Sequence, residues 1–144
     1  MKRFLLFIIL MMPFIATAQS RIYKGYSTIG NPLYTFDGKH LYQGHSTDGT
    51  PLYTYDGQRL YKGHSTAGLP ILTFDGKHIY KGYSTAGSPL YTYDGKRLYK
   101  GHSTTGNPLY TYDGKHLYQG HTTYGSPLYA IDGHIPIAIL LIIL

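Results

Sequence analysis

The sequence predicts an all-β protein: a closed, shallow barrel or ring of six β-hairpins, about twelve antiparallel strands, ending in a short apolar helix. Three observations predict it. A 19-residue unit recurs six times between Ile22 and Ile135, starting at Ile22, Leu41, Leu60, Ile79, Leu98 and Leu117. Each unit carries two turn signals separated by strand-forming residues. The array opens on half a unit and closes on the complementary half. A unit this short cannot bury a face alone, so neighbouring copies must pack on one another.

The chain begins with a pattern of its own. Lys2 and Arg3 are followed by an apolar run, Phe4 to Ile15, and by Ala16-Thr17-Ala18 before Gln19. Positive start, apolar centre and small-x-small site read as a signal peptide over residues 1–18. The run is short of the ~20 apolar residues that a bilayer span needs, which disfavours an uncleaved anchor. No cysteine follows the run, nor occurs anywhere in the chain. Disulfides, thiolate zinc sites and a lipidated cysteine are therefore excluded. The expected mature chain is one domain: the repeats over 19–135 and an apolar tail over 136–144.

Within the unit, the first turn signal is Asp-Gly: Asp37-Gly38, Asp56-Gly57, Asp75-Gly76, Asp94-Gly95, Asp113-Gly114 and Asp132-Gly133. Asp-Gly between strand formers is a strong two-residue hairpin signal, since glycine accepts positive φ. The second signal is Ser-Thr-x-Gly-x-Pro, as in Ser103 to Pro108, which reads as a longer turn. Between them lie strands such as Leu109 to Tyr112 and His116 to Gln119, rich in aromatic and branched residues. A two-residue Asp-Gly turn would pair Tyr112 with Lys115, Thr111 with His116 and Tyr110 with Leu117. Alternation then places Tyr110, Tyr112, Lys115 and Leu117 on one face, and Leu109, Thr111, His116 and Tyr118 on the other.

The first strand, Arg21 to Lys24, has no preceding partner in its own unit; the last, Leu128 to Ile131, has no following one. Pairing the two closes six hairpins into a ring without a free edge. An open solenoid has the same local pattern but would leave two raw ends. The tail from Ile137 to Leu144 is wholly apolar. As a helix it would be roughly 12 Å long, too short to cross a bilayer. It must be buried in the fold, in a membrane surface or against a partner. Pro136 suits the first turn of a helix.

Without Lys2 and Arg3, eleven basic residues face seven aspartates and no glutamate, a net charge of +4. That balance suits anionic lipid headgroups or polyanionic glycans; nucleic acid is not expected as a partner of an exported chain. Repetition makes rows of equal positions rather than one catalytic constellation. The aspartates are explained by their turns, and no nucleophile, base and orienting partner stand apart from the repeats. We expect no enzyme, cofactor or metal. The histidines read as polar-rim or strand-pairing residues: His45, His64, His102 and His121 at one repeat position, His40, His78 and His116 at another.

The candidate ligand-binding residues are Tyr34, Tyr53, Tyr91, Tyr110 and Tyr129, because tyrosine serves a membrane interface and a sugar-stacking surface equally. Lys24, Lys62, Lys81 and Lys100 share one repeat position, and Lys39, Lys77, Lys96 and Lys115 flank the turn. Both sets are expected to form one basic rim.

Pro-Leu-Tyr-x-Tyr-Asp-Gly followed by Leu-Tyr-x-Gly, repeated over roughly residues 21–135, resembles the β-flower proteins, small bacterial proteins. The resemblance implies a shallow, radially symmetric barrel of hairpin petals. That family is architecturally similar to the tubby-like C-terminal domain, a twelve-stranded barrel around an apolar central helix associated with phosphoinositide and membrane binding. The comparison implies that the tail enters the ring as a central plug. No tubby-like lipid-binding residue can be matched here by motif. The repeats also resemble choline-binding repeats, whose cages use tryptophan, which this chain lacks. The expected function is thus an exported, non-enzymatic module of the bacterial cell envelope that binds lipid or a membrane surface. The alternative is a glycan- or small-ligand-binding surface module using its tyrosine-rich petals.

Overall fold

A computed structural model describes residues 18–144. The leader expected at residues 1–18 lies, but for Ala18, outside the described residues. Twelve strands follow in order: β1 (Ser20–Lys24), β2 (Tyr34–Phe36), β3 (His40–Gln43), β4 (Tyr53–Tyr55), β5 (Arg59–Lys62), β6 (Leu72–Phe74), β7 (His78–Lys81), β8 (Tyr91–Tyr93), β9 (Arg97–Lys100), β10 (Tyr110–Tyr112), β11 (His116–Gln119) and β12 (Tyr129–Asp132). Among the described residues one helix, α1 (Ile137–Ile142), follows the strands. The strands form one closed antiparallel barrel in which each pairs with its sequence neighbours and β1 pairs with β12. The seam runs Arg21 to Asp132, Ile22 to Ile131, Tyr23 to Ala130 and Lys24 to Tyr129. The two orphan strands therefore complete each other, and no sheet edge is left open.

The hairpin register differs from the expected one. Tyr112 pairs with Leu117, Thr111 with Tyr118 and Tyr110 with Gln119, two residues further along than an Asp-Gly turn would give. The cause is the aspartate. Asp113 lies outside the two central residues, and its N–H donates to the His116 carbonyl at 3.1 Å. Its Oδ1 accepts the Lys115 and His116 N–H groups at 2.8 and 2.7 Å. An Asp-Gly type I′ turn needs positive φ at both residues. Here Gly114 has φ +95°, and among the described residues none other than glycine is positive. A shift by two leaves every side chain on its original face, so the expected faces hold.

The inward face forms three rings. The middle ring is aliphatic: Ile22, Leu41, Leu60, Ile79, Leu98 and Leu117, each at most 1% exposed. Toward the Asp-Gly turns lie Phe36, Tyr55, Phe74, Tyr93, Tyr112 and Ile131. Toward the opposite mouth lie Tyr34, Tyr53, Leu72, Tyr91, Tyr110 and Tyr129. Twelve strands enclose a centre too wide for these side chains to fill, since about eight already suffice for a side-chain-filled barrel. The tail fills it. Ile137, Ala138, Ile139 and Leu140 are buried among the rings. Pro136 caps the helix from an extended conformation (φ −59°, ψ 144°), one position ahead of the first helical residue. Proline lacks an N–H, which removes one of the orphan donors of the helix start, and no side-chain cap is made.

On the outer face Thr35, Thr54, Thr73, Thr92 and Thr111 are almost fully covered. Each hydroxyl donates to the carbonyl of the glycine after the next strand: Gly44, Gly63, Gly82, Gly101 and Gly120, at 2.6–2.7 Å. These bonds tie the start of five of the six long loops to the barrel wall; at the loop that starts at Gly25, Ala130 stands in the threonine's place.

Candidate functional site

The inward alternation that builds the rings also decides where the chemistry goes. Residues two positions after the middle-ring aliphatics point to the same face, beyond the tyrosine ring. They are Lys24, Gln43, Lys62, Lys81, Lys100 and Gln119, all exposed. Each faces a member of that ring across the strands: Tyr53 opposite Lys62, Leu72 opposite Lys81, Tyr91 opposite Lys100, and Tyr129 opposite Lys24. Tyr34 and Tyr110 face the two glutamines. All nine candidate tyrosines and lysines therefore gather at one mouth of the barrel.

The helix ends in this mouth. The Tyr129 hydroxyl donates to the Ile143 carbonyl at 3.2 Å. Burial pushes the Tyr129 phenol above its ordinary pKa, and the adjacent Tyr34 and Tyr110 phenols add to the shift. Leu141 to Ile143 are half-buried, and Leu144 is 43% exposed. Around them runs an apolar collar from the Pro-Leu position, with Leu33 and Leu90 exposed and Leu52, Ile71, Leu109 and Leu128 half-buried. A groove of about 520 Å³ lies between Lys24, Leu33, Tyr110, Gln119, Tyr129 and Leu144. The mouth is thus an apolar centre and collar with four lysines set between them. None of these lysines is in an ion pair among the described residues.

The second set of lysines does not join this rim. Lys39, Lys77 and Lys96 sit on the Asp-Gly tips of β2–β3, β6–β7 and β8–β9, and Lys115 on that of β10–β11, at the other end of the barrel. The expectation of one basic rim is corrected by the register: a hairpin separates its tip from its open end by the length of its strands. At the tip end the inward residues Tyr55, Tyr93 and Tyr112 were absent from the expected site. Their hydroxyls donate to the turn carbonyls of Gly57, Gly95 and Gly114 at 2.8, 2.9 and 3.2 Å. Burial, then Tyr93 and the Asp113 carboxylate, push Tyr112 up to about 12. The Tyr-x-Tyr spacing contained this signal, because residues two apart on a strand share a face.

The aspartates are structural. Burial alone would push Asp37, Asp56, Asp75 and Asp94 upward, but paired backbone N–H donors hold them below the ordinary carboxylate range. The sixth, Asp132, follows the same register, but Gly133 then turns the chain into the barrel, and the His134 N–H bonds Ser20 Oγ at 2.9 Å. Three histidines each meet a second ring: His40 and His116 stack on theirs, and His78 meets its partner edge to face. His40 lies 5.1 Å from His64, His78 lies 5.0 Å from His102, and His116 lies 4.9 Å from Tyr26, centroid to centroid. Among the described residues no group of three or more His, Cys, Asp or Glu side chains is arranged to hold a metal. Nor, among them, is any helix long and apolar enough to cross a membrane.

A closed barrel of six near-identical hairpins around an apolar helix defines a class of protein by architecture. The family model described as "6-fold beta flower protein" matches residues 22–140. The chain belongs to that family. No curated protein and no solved structure matches it.

Proposed function

We propose that this chain is a non-enzymatic module of the bacterial cell envelope, exported by its leader, that docks on an anionic lipid surface through the lysine-lined mouth. One observation carries the reading: Lys24, Lys62, Lys81 and Lys100 surround an exposed apolar helix end and a leucine collar. Lysine near an anionic membrane surface contributes about 1 kcal/mol per side chain. Tyrosine suits the headgroup layer, and the collar and Leu144 supply shallow apolar contact. A binding role is supported because the repeated carboxylates are occupied by their own turns. The alternative glycan role for Tyr34, Tyr53, Tyr91, Tyr110 and Tyr129 is less favoured. These rings are packed against the helix end and leave little free aromatic face.

The fold adds a condition. β1 starts beside Phe36 at the tip end, so any segment before Ser20 leaves from the end opposite the lysines. An uncleaved membrane anchor would turn the mouth away from its own membrane. The reading therefore requires cleavage, and N-terminal sequencing of exported protein should begin at Gln19. Co-sedimentation with liposomes tests the docking itself. We expect binding to vesicles containing phosphatidylglycerol, weak binding to pure phosphatidylcholine, and loss of binding when the four lysines are changed to glutamine. Binding that is indifferent to both changes would contradict the proposal.

A further inference from the structure

Every aspartate in the chain is followed by glycine: the six repeat copies, and Asp48-Gly49 in the loop between β3 and β4. Asp-Gly has a covalent chemistry of its own. The glycine amide nitrogen attacks the side-chain carboxyl carbon of the aspartate, and no Cβ on the glycine blocks the approach. A C–N bond forms, water leaves, and a five-membered succinimide results. Water then adds at one of its two carbonyls. Opening at the side-chain carbonyl restores aspartate. Opening at the main-chain carbonyl leaves isoaspartate, whose backbone runs through the former side chain and is one methylene longer. The change is an isomerisation: the water lost on closing is regained on opening, and no oxidant or cofactor takes part.

Exposure does not separate the seven sites. Asp48 is exposed, and so are Asp56, Asp75, Asp94, Asp113 and Asp132. Bonding separates them. In Asp37, Asp56, Asp75, Asp94 and Asp113, Oδ1 accepts the N–H groups of the second and third residues onward, at 2.6–2.9 Å. Their Oδ2 atoms are engaged as well: His40 and His78 Nδ1 lie 3.2 and 3.3 Å from those of Asp37 and Asp75, and the Tyr61 and Tyr99 hydroxyls 3.3 and 3.4 Å from those of Asp56 and Asp94. These groups lie beyond the glycine and hold the carboxyl away from its nitrogen. Attack would first have to break two charge-assisted hydrogen bonds. Asp132 makes no such bonds among the described residues, but its main chain is paired with Arg21 in the seam, and Gly133 is packed against Ser20.

Asp48 has neither restraint. It lies outside the strands, its own N–H donates to Ser46 Oγ at 3.0 Å, and among the described residues no donor reaches its carboxylate. Gly49 is exposed, with φ +130° and open space where a Cβ would stand. The other five loops carry Ile29, Ala67, Ala86, Thr105 and Tyr124 at this position, so the site occurs once.

We propose that Asp48-Gly49 is a site of spontaneous isoaspartate formation in the folded protein, and that the fold protects the six repeat copies from the same reaction. In five of those copies the bonds that set the hairpin register also keep the carboxyl from the glycine nitrogen. The loop around Asp48 has room for the added methylene. Its anchors are Gly44, whose carbonyl accepts the Thr35 hydroxyl at 2.7 Å, and Leu52, whose N–H donates to the Leu41 carbonyl at 2.7 Å. Neither anchor involves residues 46–50, so the modified barrel stays closed.

Prolonged incubation of the folded protein at neutral pH, beside the same chain unfolded in guanidinium chloride, tests the proposal. Electron-transfer fragmentation of tryptic peptides reads isoaspartate position by position, and it separates Asp48 from Asp56 within the peptide 40–59. In the unfolded chain all seven sites should convert. In the folded protein residue 48 should convert within about threefold of its unfolded rate, and the six repeat copies at least about tenfold more slowly than theirs, since they react only after local opening. Asp48→Glu should abolish the folded-state signal at that position, because the ring from glutamate has six members and closes far more slowly. That variant and the isolated isoaspartate form should both melt with the parent. A folded-state rate at residue 48 as low as at the turns, or any repeat copy converting as fast as residue 48, would overturn the proposal. An isoaspartate form that melts well below the parent would overturn the loop's tolerance of the change.

Discussion

Gly133 stands where the barrel closes and the chain turns inward. A Cβ at that position would collide with Ser20. Gly125 has a similar φ of +103° but open space around it. Both substitutions to alanine carry the strain of a positive φ, roughly 1–2 kcal/mol. Gly133→Ala adds the steric term and displaces Ser20 from the His134 N–H, so its melting temperature should fall clearly further than that of Gly125→Ala. Equal shifts would mean that the closure is not tightly packed. Asp37, Asp56, Asp75 and Asp94 set a pH dependence. Their folded pKa values lie below the ordinary 3.8, so their stabilisation is complete above that value and is lost as pH falls through the folded values. Thermal melts should be insensitive to these groups above about pH 5 and drop below about pH 4. A melting temperature that holds steady down to pH 2 would show that the carboxylates contribute nothing through their turns.

At the level of elements, the helix is the filler that a ring this wide requires. Leu140 is fully buried, and Leu140→Ala should cost about 2–5 kcal/mol in chemical denaturation. Removal of residues 136–144 should unfold the barrel or strip its cooperativity, because the aliphatic ring would then line an empty centre. A truncated chain that melts like the parent would contradict the plug. Deleting residues 19–26 should open the β12 edge and produce aggregation rather than a slightly smaller monomer. The sequence made the closure legible through strand arithmetic: Arg21 to Lys24 and Leu128 to Ile131 lacked partners, and only each other was left. Faces were legible too, since Tyr110, Tyr112 and Leu117 do point inward. The pairing register was not. Asp-Gly signals a turn but does not say which residue sits at its centre, and here the carboxylate of Asp113 decided it by bonding the N–H groups of Lys115 and His116. The two lysine sets were expected on one rim because the opposite ends of each hairpin were not told apart, and Tyr93 and Tyr112, on the inward face but at the tip end, went unremarked for the same reason.

Across the whole molecule, the sixfold repeat holds the aliphatic middle ring nearly constant and varies the ends. The middle ring is always Leu or Ile, whereas the mouth position is lysine in four copies and glutamine in two. The result is a barrel with two chemically different ends: a lysine-lined mouth with an exposed apolar helix end, and a ring of tips floored by tyrosine. The first end is the one proposed to meet lipid. The orientation is the central claim, and it can be read directly. The chain has no cysteine, so a single one takes an environment-sensitive dye without competition. Gln43→Cys places the dye in the mouth and Gln58→Cys places it on an exposed hairpin tip. On vesicles containing phosphatidylglycerol, the account predicts a blue shift and protection from aqueous quencher at residue 43, with residue 58 unchanged from solution. A shift at residue 58 with none at residue 43, or equal shifts at both, would contradict it.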